Sequence, residues 1–189
     1  MTTATPGSTA PAIKNGTYAI DPSHSTVGFT ARHAMISKVR GAFNELEGSG
    51  TFDGDPSASS LQVTIQTASI DTRSEDRDGH LKGADFFHVE QYPTITFGST
   101  GIEQSSAEEY QVTGDLTIKD VTNPVTFDLE LTGTAVDPWG QTRIGLEGSA
   151  TVNRKDWGLT WNAALEAGGV LVSDKITLTF EISAVLQEG

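Results

Sequence analysis

The 189-residue chain contains no cysteine, which excludes disulfides, thiolate zinc sites, iron–sulfur clusters and a cysteine nucleophile. Basic residues are scarce, because 12 Lys and Arg stand against 25 Asp and Glu, giving a formal net charge of −13. This deficit argues against nucleic acid, whose phosphates are bound by clustered cations. It also argues against electrostatic docking on anionic lipid, which needs a polybasic patch. We therefore expect no nucleic-acid partner and no stable membrane anchor.

Long apolar runs are missing as well. Hydrophobic residues make up 36% of the chain and are interrupted by 20 glycines and 7 prolines, a composition typical of one turn-rich globular domain. Residues 1–17 are rich in Thr, Ala, Pro and Ser and have no apolar run of signal-peptide length. We expect a flexible leader over 1–17, a folded domain over 18–187 and a cytoplasmic protein.

From Tyr18 onward, apolar and polar residues alternate, a period of two that predicts strands with one buried face. Short turn sequences such as 137–140 separate these segments, and one-sided strands with short loops favour antiparallel pairing. The sequence therefore predicts an all-β meander of about eight strands. The alternating segments cover residues 27–33, 42–52, 61–66, 94–98, 110–119, 125–132, 144–153 and 176–184.

Residues 71–93 break this alternation. They are charged, contain no β-branched run and end at Tyr92-Pro93, where the residue before proline avoids the helical region. We expect two short helical turns here, lying across one mouth of a barrel.

An eight-stranded barrel is either filled by its own side chains or encloses one small ligand. The inward parity includes several small residues, which favour an apolar tunnel because an unfilled void costs stability. The alternative is a packed, tapering core, in which small and large residues also alternate. The small inward residues are Ala31, Gly114, Gly148, Ala150 and Ala184.

Several motifs give the chain a family resemblance. It resembles the YceI-like family of lipocalin-like, polyisoprenoid-associated proteins, in segments that span residues 18 to about 185 in the same order. These are YAIDPSHSTVGF (18–29), SIDT (69–72), RDGHL (77–81), FFHVEQYP (86–93), GDLTI (114–118), RKDWG (154–158) and VSD (172–174). Two positions differ from the common pattern: Asp120 replaces a glycine, and Asn123 replaces a basic residue.

The resemblance implies an eight-stranded antiparallel lipocalin-like (calycin-type) barrel that carries a polyprenyl or other lipid-like chain. It implies no catalytic residue, no metal and no cofactor other than the bound ligand. Relatives are often dimers, so a homodimer is a further expectation. Since the net charge of −13 disfavours a phosphate, we hypothesise a neutral head group such as a quinone or a fatty amide.

Candidate ligand-binding residues are apolar or aromatic residues on the inward parity or in the matched motifs. His33 is either a head-group donor at the tunnel mouth or a core histidine, and the Trp157 indole N–H, if buried, needs a partner such as a ligand carbonyl. The candidates are Val27, Phe29, Ala31, His33, Phe43, Phe86, Phe87, Phe97, Leu116, Leu146, Ala150, Trp157 and Trp161.

Two other functions stay open. One is a barrel enzyme acting on a hydrophobic substrate, with His24 or His33 as general base. Asp21, His24 and Ser25 invite comparison with a catalytic triad, but adjacent strand residues point to opposite faces. We expect Asp21 and Ser23 to tie the entry to the first long strand instead. The other is a ligand-free barrel that acts as an interaction or stress protein. The four histidines lack metal-ligand spacing.

Overall fold

The structure is a computed structural model that describes residues 13–165 and 169–188. Most of the predicted leader, 1–17, lies outside the described residues, and the first strand begins at Gly16. The described residues form eleven strands and one α-helix: β1 (Gly16–Ile20), β2 (Thr26–His33), β3 (Ser37–Phe43), β4 (Leu46–Asp53), β5 (Asp55–Gln66), β6 (Ile70–Asp71), α1 (Glu75–Lys82), β7 (Thr94–Gln104), β8 (Glu109–Ile118), β9 (Val121–Val136), β10 (Thr142–Asn153) and β11 (Lys175–Leu186).

Eight of these strands close into a ring. Their order is β1-β4-β5-β7-β8-β9-β10-β11, every pairing is antiparallel, and β11 pairs back onto β1 with Tyr18 opposite Leu186. β2, β3 and β6 continue the sheet from β11. The predicted all-β, eight-stranded antiparallel barrel with a short helical insertion is confirmed.

Two pairs of short strands, β1 with β2 and β3 with β4, each continue along one line of the sheet. β11 pairs with β1 near Ala184 and with β2 between Thr177 and Glu181. The prediction of one strand over 42–52 is wrong, because the chain is broken there into β3 and β4. There Asn44 N–H donates to the carbonyl of Ser69 at 3.2 Å, and the Glu45 carbonyl accepts from Gln66 N–H at 2.9 Å. These bonds turn the backbone out of the β2 pairing and into the β1 pairing.

Residues 71–93, here called the lid, cover one end of the barrel. The prediction of two helical turns corresponds to α1, followed by tight turns through Tyr92. Ser74 caps α1 by accepting from Arg77 N–H. The Thr72 N–H donates to Asp78 at 2.8 Å, and Arg77 Nε donates to the Thr72 hydroxyl at 2.8 Å. Arg77 and Asp78 thus fix the helix to the end of β6.

The two ends of the barrel differ in construction. The lid end carries the lid, the β2–β3 turn (34–36), the β8–β9 turn (119–120) and the described part of the connection 154–174. The far end carries the β4–β5, β7–β8 and β9–β10 turns. One buried apolar cluster contains Ile65, Ile95, Leu116 and Trp157, and a second one contains Tyr18, Leu131, Ile144 and Ala184. No helix among the described residues is long and apolar enough to cross a membrane.

The bend between β1 and β2 is held by a polar network around Asp21. One carboxylate oxygen of Asp21 accepts from the N–H and hydroxyl of Ser23, and the other lies 2.8 Å from both Arg143 Nη1 and His24 Nδ1. Arg143 Nε donates to Asp137 at 2.8 Å, which ties the β9–β10 turn to the same site. The hydrogen bonds from Ser23, Arg143 and His24 hold the pKa of Asp21 far below its ordinary value.

This network predicts an acid-dependent loss of stability. An unfolded aspartate ionises near pH 4, so a folded carboxyl with a lowered pKa stabilises the protein above that pH and progressively less below it. We expect Asp21→Asn to lower the free energy of unfolding by about 2 kcal/mol at pH 7. The gap to the wild type should narrow as the pH falls below about 4. Urea unfolding at a series of pH values measures this difference in the free energy of unfolding. Asp115→Asn, at an exposed carboxylate on β8, is the control, and a pH-independent gap for Asp21→Asn would contradict the assignment.

Candidate ligand-binding cavity

The barrel encloses a cavity of about 200 Å³ toward the lid end. Its wall is made of aliphatic and aromatic side chains from the strands, the lid and the 154–174 connection, and Arg154 is its one charged residue. Leu81, Phe86 and Phe87 extend the wall onto the lid. The cavity is therefore an apolar compartment closed at one end by a separate segment of chain.

Aromatic rings line two sides of this cavity. On one side the ring centroids of Phe29 and Phe43, and of Phe43 and Phe87, are 5.8 Å apart. On the other side Phe127 lies between Phe97 and Phe180, at 5.5 Å and 5.1 Å. Tilted and edge-on contacts at these distances are favourable aromatic geometries. The rings form two apolar surfaces suited to contact with an extended hydrocarbon chain.

A second cavity of about 100 Å³ lies toward the far end, beside Tyr18, Tyr110 and Ile144. Five side chains from five different strands line both cavities, and we call them the belt: Ile20, Leu61, Leu129, Leu146 and Ile182. The belt separates two chambers of one apolar interior.

Ten of the thirteen predicted ligand-binding residues line the larger cavity, namely Val27, Phe29, Ala31, Phe43, Phe86, Phe87, Phe97, Leu116, Leu146 and Trp157. They come from five strands, the lid and the turn after β10, so closure of the ring brings them together. Among the lining residues that the sequence analysis did not select are two further phenylalanines, Phe127 and Phe180. The alternation in β9 and β11 places both on the inward face, and that signal was sufficient to find them.

The other three predicted residues lie outside the cavity wall. His33 is exposed at the last position of β2, where the strand has left the barrel interior. Ala150 is buried on the inward parity of β10, but it does not line the cavity. Trp161 lies beyond Phe86, with ring centroids 5.4 Å apart, and its edge-on contact with His80 is at 4.7 Å.

Small inward residues leave less empty space than the sequence suggested. At Gly114, an added Cβ would lie 2.5 Å from the Phe97 ring, and at Gly148 it would lie 2.8 Å from the Leu129 side chain. Both glycines are therefore covered by a large neighbour on the paired strand. The interior therefore has features of both alternatives: small residues packed against large neighbours, as in a tapering core, and an apolar cavity.

The Trp157 indole makes a different contact from the expected one. Its N–H donates to the backbone carbonyl of Leu116 at 2.9 Å, and the side chain is buried. The strand β8 thus supplies the partner that a ligand carbonyl was expected to supply. Trp157 offers its apolar ring to the cavity, while its polar group holds the turn after β10 against β8.

Arg154 is a buried cation at the lid end, with 4% of its surface exposed. Its guanidinium donates to the backbone carbonyls of Leu159, Trp161 at 2.9 Å and Ser173 at 2.9 Å. Burial lowers the pKa of Arg154, an effect that the nearby Asp174 carboxylate opposes. The guanidinium therefore holds together two segments of the 154–174 connection, one containing Leu159 and Trp161 and the other containing Ser173.

The histidines do not assemble a catalytic or metal site in the described residues. The Ser25 hydroxyl donates to the Ser183 carbonyl and accepts from the Ser183 N–H, whereas His24 lies against Asp21. His80 Nε2 lies 3.0 Å from Asp85 on the lid. Within residues 13–165 and 169–188, no three His, Asp or Glu side chains are grouped for a metal ion.

Comparison with known proteins places this geometry in a family. The model of the YceI-like domain matches residues 18–184. A UPF0312 protein of Pseudomonas aeruginosa is 43% identical over 145 residues, 75% of each chain. The crystal structure of the YCEI protein of Campylobacter jejuni matches with a TM-score of 0.72 and 32% identity, over 83% of this chain and 90% of that one. The structure of a polyisoprenoid-binding domain from Saccharophagus degradans matches with a TM-score of 0.66 and 16% identity, over 92% and 100%.

The carbonyl cluster around Arg154 predicts a large cost for a conservative change. Arg154→Lys keeps the charge but loses the planar set of donors, leaving buried carbonyls unpaired. We expect it to lower the free energy of unfolding by about 3 kcal/mol in a urea titration. Lys155→Gln is the matched control, because Lys155 is half exposed on the same turn and lies 3.3 Å from the same Asp174. That change should stay within about 0.5 kcal/mol of the wild type. Equal stability of the two variants would refute the role of Arg154.

Proposed function

The chain belongs to the YceI-like family, and from that membership and the geometry of its barrel we propose that it binds and carries a long apolar isoprenoid or acyl chain in its interior. The polyisoprenoid-binding domain of Saccharophagus degradans shares its fold. Family and structural neighbours point to a binding protein rather than an enzyme.

The observation that carries this proposal is the make-up of the cavity wall. Apart from Arg154, the lining residues are apolar, and they come from both the barrel and the lid. The Arg154 nitrogens are directed at backbone carbonyls, so the guanidinium is already occupied. A wall of this kind selects a ligand by its length and shape, since it offers few polar contacts to a head group.

Magnitudes support binding without a specific head-group contact. Burial of one methylene is worth about 0.8 kcal/mol, so a five-carbon isoprene unit contributes about 3 kcal/mol before ordering costs. Long ligands retain about 0.3 kcal/mol per heavy atom after ordering costs, so the affinity rises with the number of carbons that the interior encloses. Because Arg154 is already occupied, the cavity wall offers no free cation to a phosphate, and this favours a neutral head group such as a quinone or a fatty amide.

The first test is native mass spectrometry of the freshly purified protein, with organic extraction of any adduct. We expect a non-covalent adduct with the mass of an isoprenoid or acyl compound without a phosphate. A polyprenyl phosphate would overturn the neutral head group alone. Bare protein that also fails to take up added quinones and fatty amides would overturn the carrier function.

Filling the cavity should abolish binding. Ala31 lines the wall on β2, and Ala31→Trp would place an indole where the ligand chain lies. We expect at least a tenfold loss of affinity for a fluorescent apolar probe, with the circular dichroism spectrum retained. Thr177→Trp is the control, because Thr177 is exposed on the neighbouring β11. Unchanged affinity in Ala31→Trp would place the ligand elsewhere.

The belt should set the longest chain that the protein holds. Leu146→Ala would open the passage between the chambers, so affinity in a series of fatty amides should keep rising for several carbons beyond the wild-type plateau. Leu131→Ala is the control, because Leu131 is 2% exposed and lines neither cavity. Both variants should lose about 2–5 kcal/mol of stability, the usual cost of such a truncation. A plateau that moves equally in both would attribute the effect to loss of stability.

A further inference from the structure

The β2–β3 turn at the lid end exposes two large apolar side chains. Met35 and Ile36 are 64% and 84% exposed, and Val170 beside them is 40% exposed. Met35 lies over the backbone of Gly169, since a Cβ added to Gly169 would come within 2.4 Å of its sulfur. Here we call Met35, Ile36 and Val170 the apolar tip.

The backbone of this turn is unusual for the residues that form it. Ala34 and Met35 have φ values of 52° and 60°, in the left-handed region that favours glycine and asparagine. The His33 carbonyl accepts from Ile36 N–H at 3.1 Å and fixes the turn. A turn with this backbone folds more readily with Asn-Gly, so stability alone does not account for an exposed methionine and isoleucine here.

Cations surround the apolar tip on the outer face of the hairpin. Arg32 pairs in register with Lys38, and Thr30 pairs with Arg40, so all three basic side chains are on the face opposite the inward residues. They are exposed. Residues 22–44 contain no Asp or Glu, in a chain whose net charge is −13.

The hairpin charge belongs to a wider separation of charge along the barrel. Of the 12 Lys and Arg residues, two lie toward the far end, Lys14 and Arg143. The remaining ten lie at the lid end, where the six carboxylates of the lid together with Asp120, Asp156 and Asp174 bring the net charge of the described residues close to zero. The far end and the barrel walls therefore carry most of the negative charge.

We propose that the apolar tip and the cations Arg32, Lys38 and Arg40 dock the lid end of the barrel on an anionic lipid bilayer. Apolar side chains flanked by Lys and Arg are the chemistry of interfacial insertion, in which the side chains enter the headgroup region and the cations meet lipid phosphates. The acidic far end is repelled by the same surface, which orients the protein with the β2–β3 turn toward the lipid. The net charge of the whole chain argued against such docking, but the fold places Arg32, Lys38 and Arg40 together on one hairpin, which the net charge does not reveal.

The position of this surface links it to the cavity. Ala31, two residues before the end of β2, lines the cavity, and so does Val172, which forms a backbone bridge with His33. Docking would bring the lid and the cavity behind it against the source of apolar ligands. The docking surface itself depends on no particular ligand, because its residues are outside the cavity wall.

Vesicle sedimentation tests the proposal. Wild-type protein should sediment with phosphatidylcholine vesicles that contain about a third phosphatidylglycerol, less so with pure phosphatidylcholine, and less at high salt. Each basic residue near the surface is worth about fivefold in partitioning, so the triple change Arg32→Gln, Lys38→Gln and Arg40→Gln should weaken it about a hundredfold. The pair Met35→Ser and Ile36→Ser should weaken it at least tenfold.

The far end supplies a matched control. Val136 and Trp139 are 67% and 81% exposed there, and the pair Val136→Ser and Trp139→Ser should leave vesicle binding unchanged. Absence of sedimentation with the anionic vesicles at low salt would overturn the proposal, as would an equal loss in the far-end pair. Uptake of the apolar probe should persist in the Met35→Ser and Ile36→Ser variant. That readout separates failure of docking from failure of the carrier function.

Discussion

In a closed sheet every side chain points either into the ring or out of it, and much of this molecule follows from that constraint. The inward residues meet around one axis, so they must be apolar and must share a fixed volume. Where a large ring such as Phe97 points inward, it lies over Gly114, which has no side chain, on the paired strand β8. The outward positions accept the charge, and this is why a protein with a net charge of −13 has an almost uncharged interior.

The same constraint explains how much the sequence alone could predict. Alternation identified the strands and most of the cavity wall, because a period of two fixes the face of each residue. It failed where the chain leaves the strand geometry. At His33 the strand has already left the barrel, and at Asn44 and Glu45 hydrogen bonds to Ser69 and Gln66 break one predicted strand into two. Contacts between distant segments, such as the Trp157 indole on Leu116, are set by the closed ring and carry no local signal.

The polar groups of the structure serve the barrel ends. Asp21 and Arg143 hold the bend between β1 and β2, and Arg154 holds the connection beside the lid. At both places the charged side chains bond to nearby backbone carbonyls or to each other. Arg154, the one charged residue of the larger cavity wall, is therefore already paired. The protein therefore combines a wall suited to any long apolar chain with ends whose charge distribution differs sharply.

Closure of the ring also dictates an order of assembly. Most neighbouring strands are joined by short turns and can pair as soon as both are present, but β1 must wait for β11, which lies near the other end of the described chain. Contacts between residues so far apart in sequence make folding slow, because the entropy of closing a long loop is lost before the contacts that stabilise it form. Until β11 has been synthesised, the ring cannot close, and strands that pair earlier have no enclosed apolar face. The step that completes the cavity is also the step that ends this exposure to aggregation.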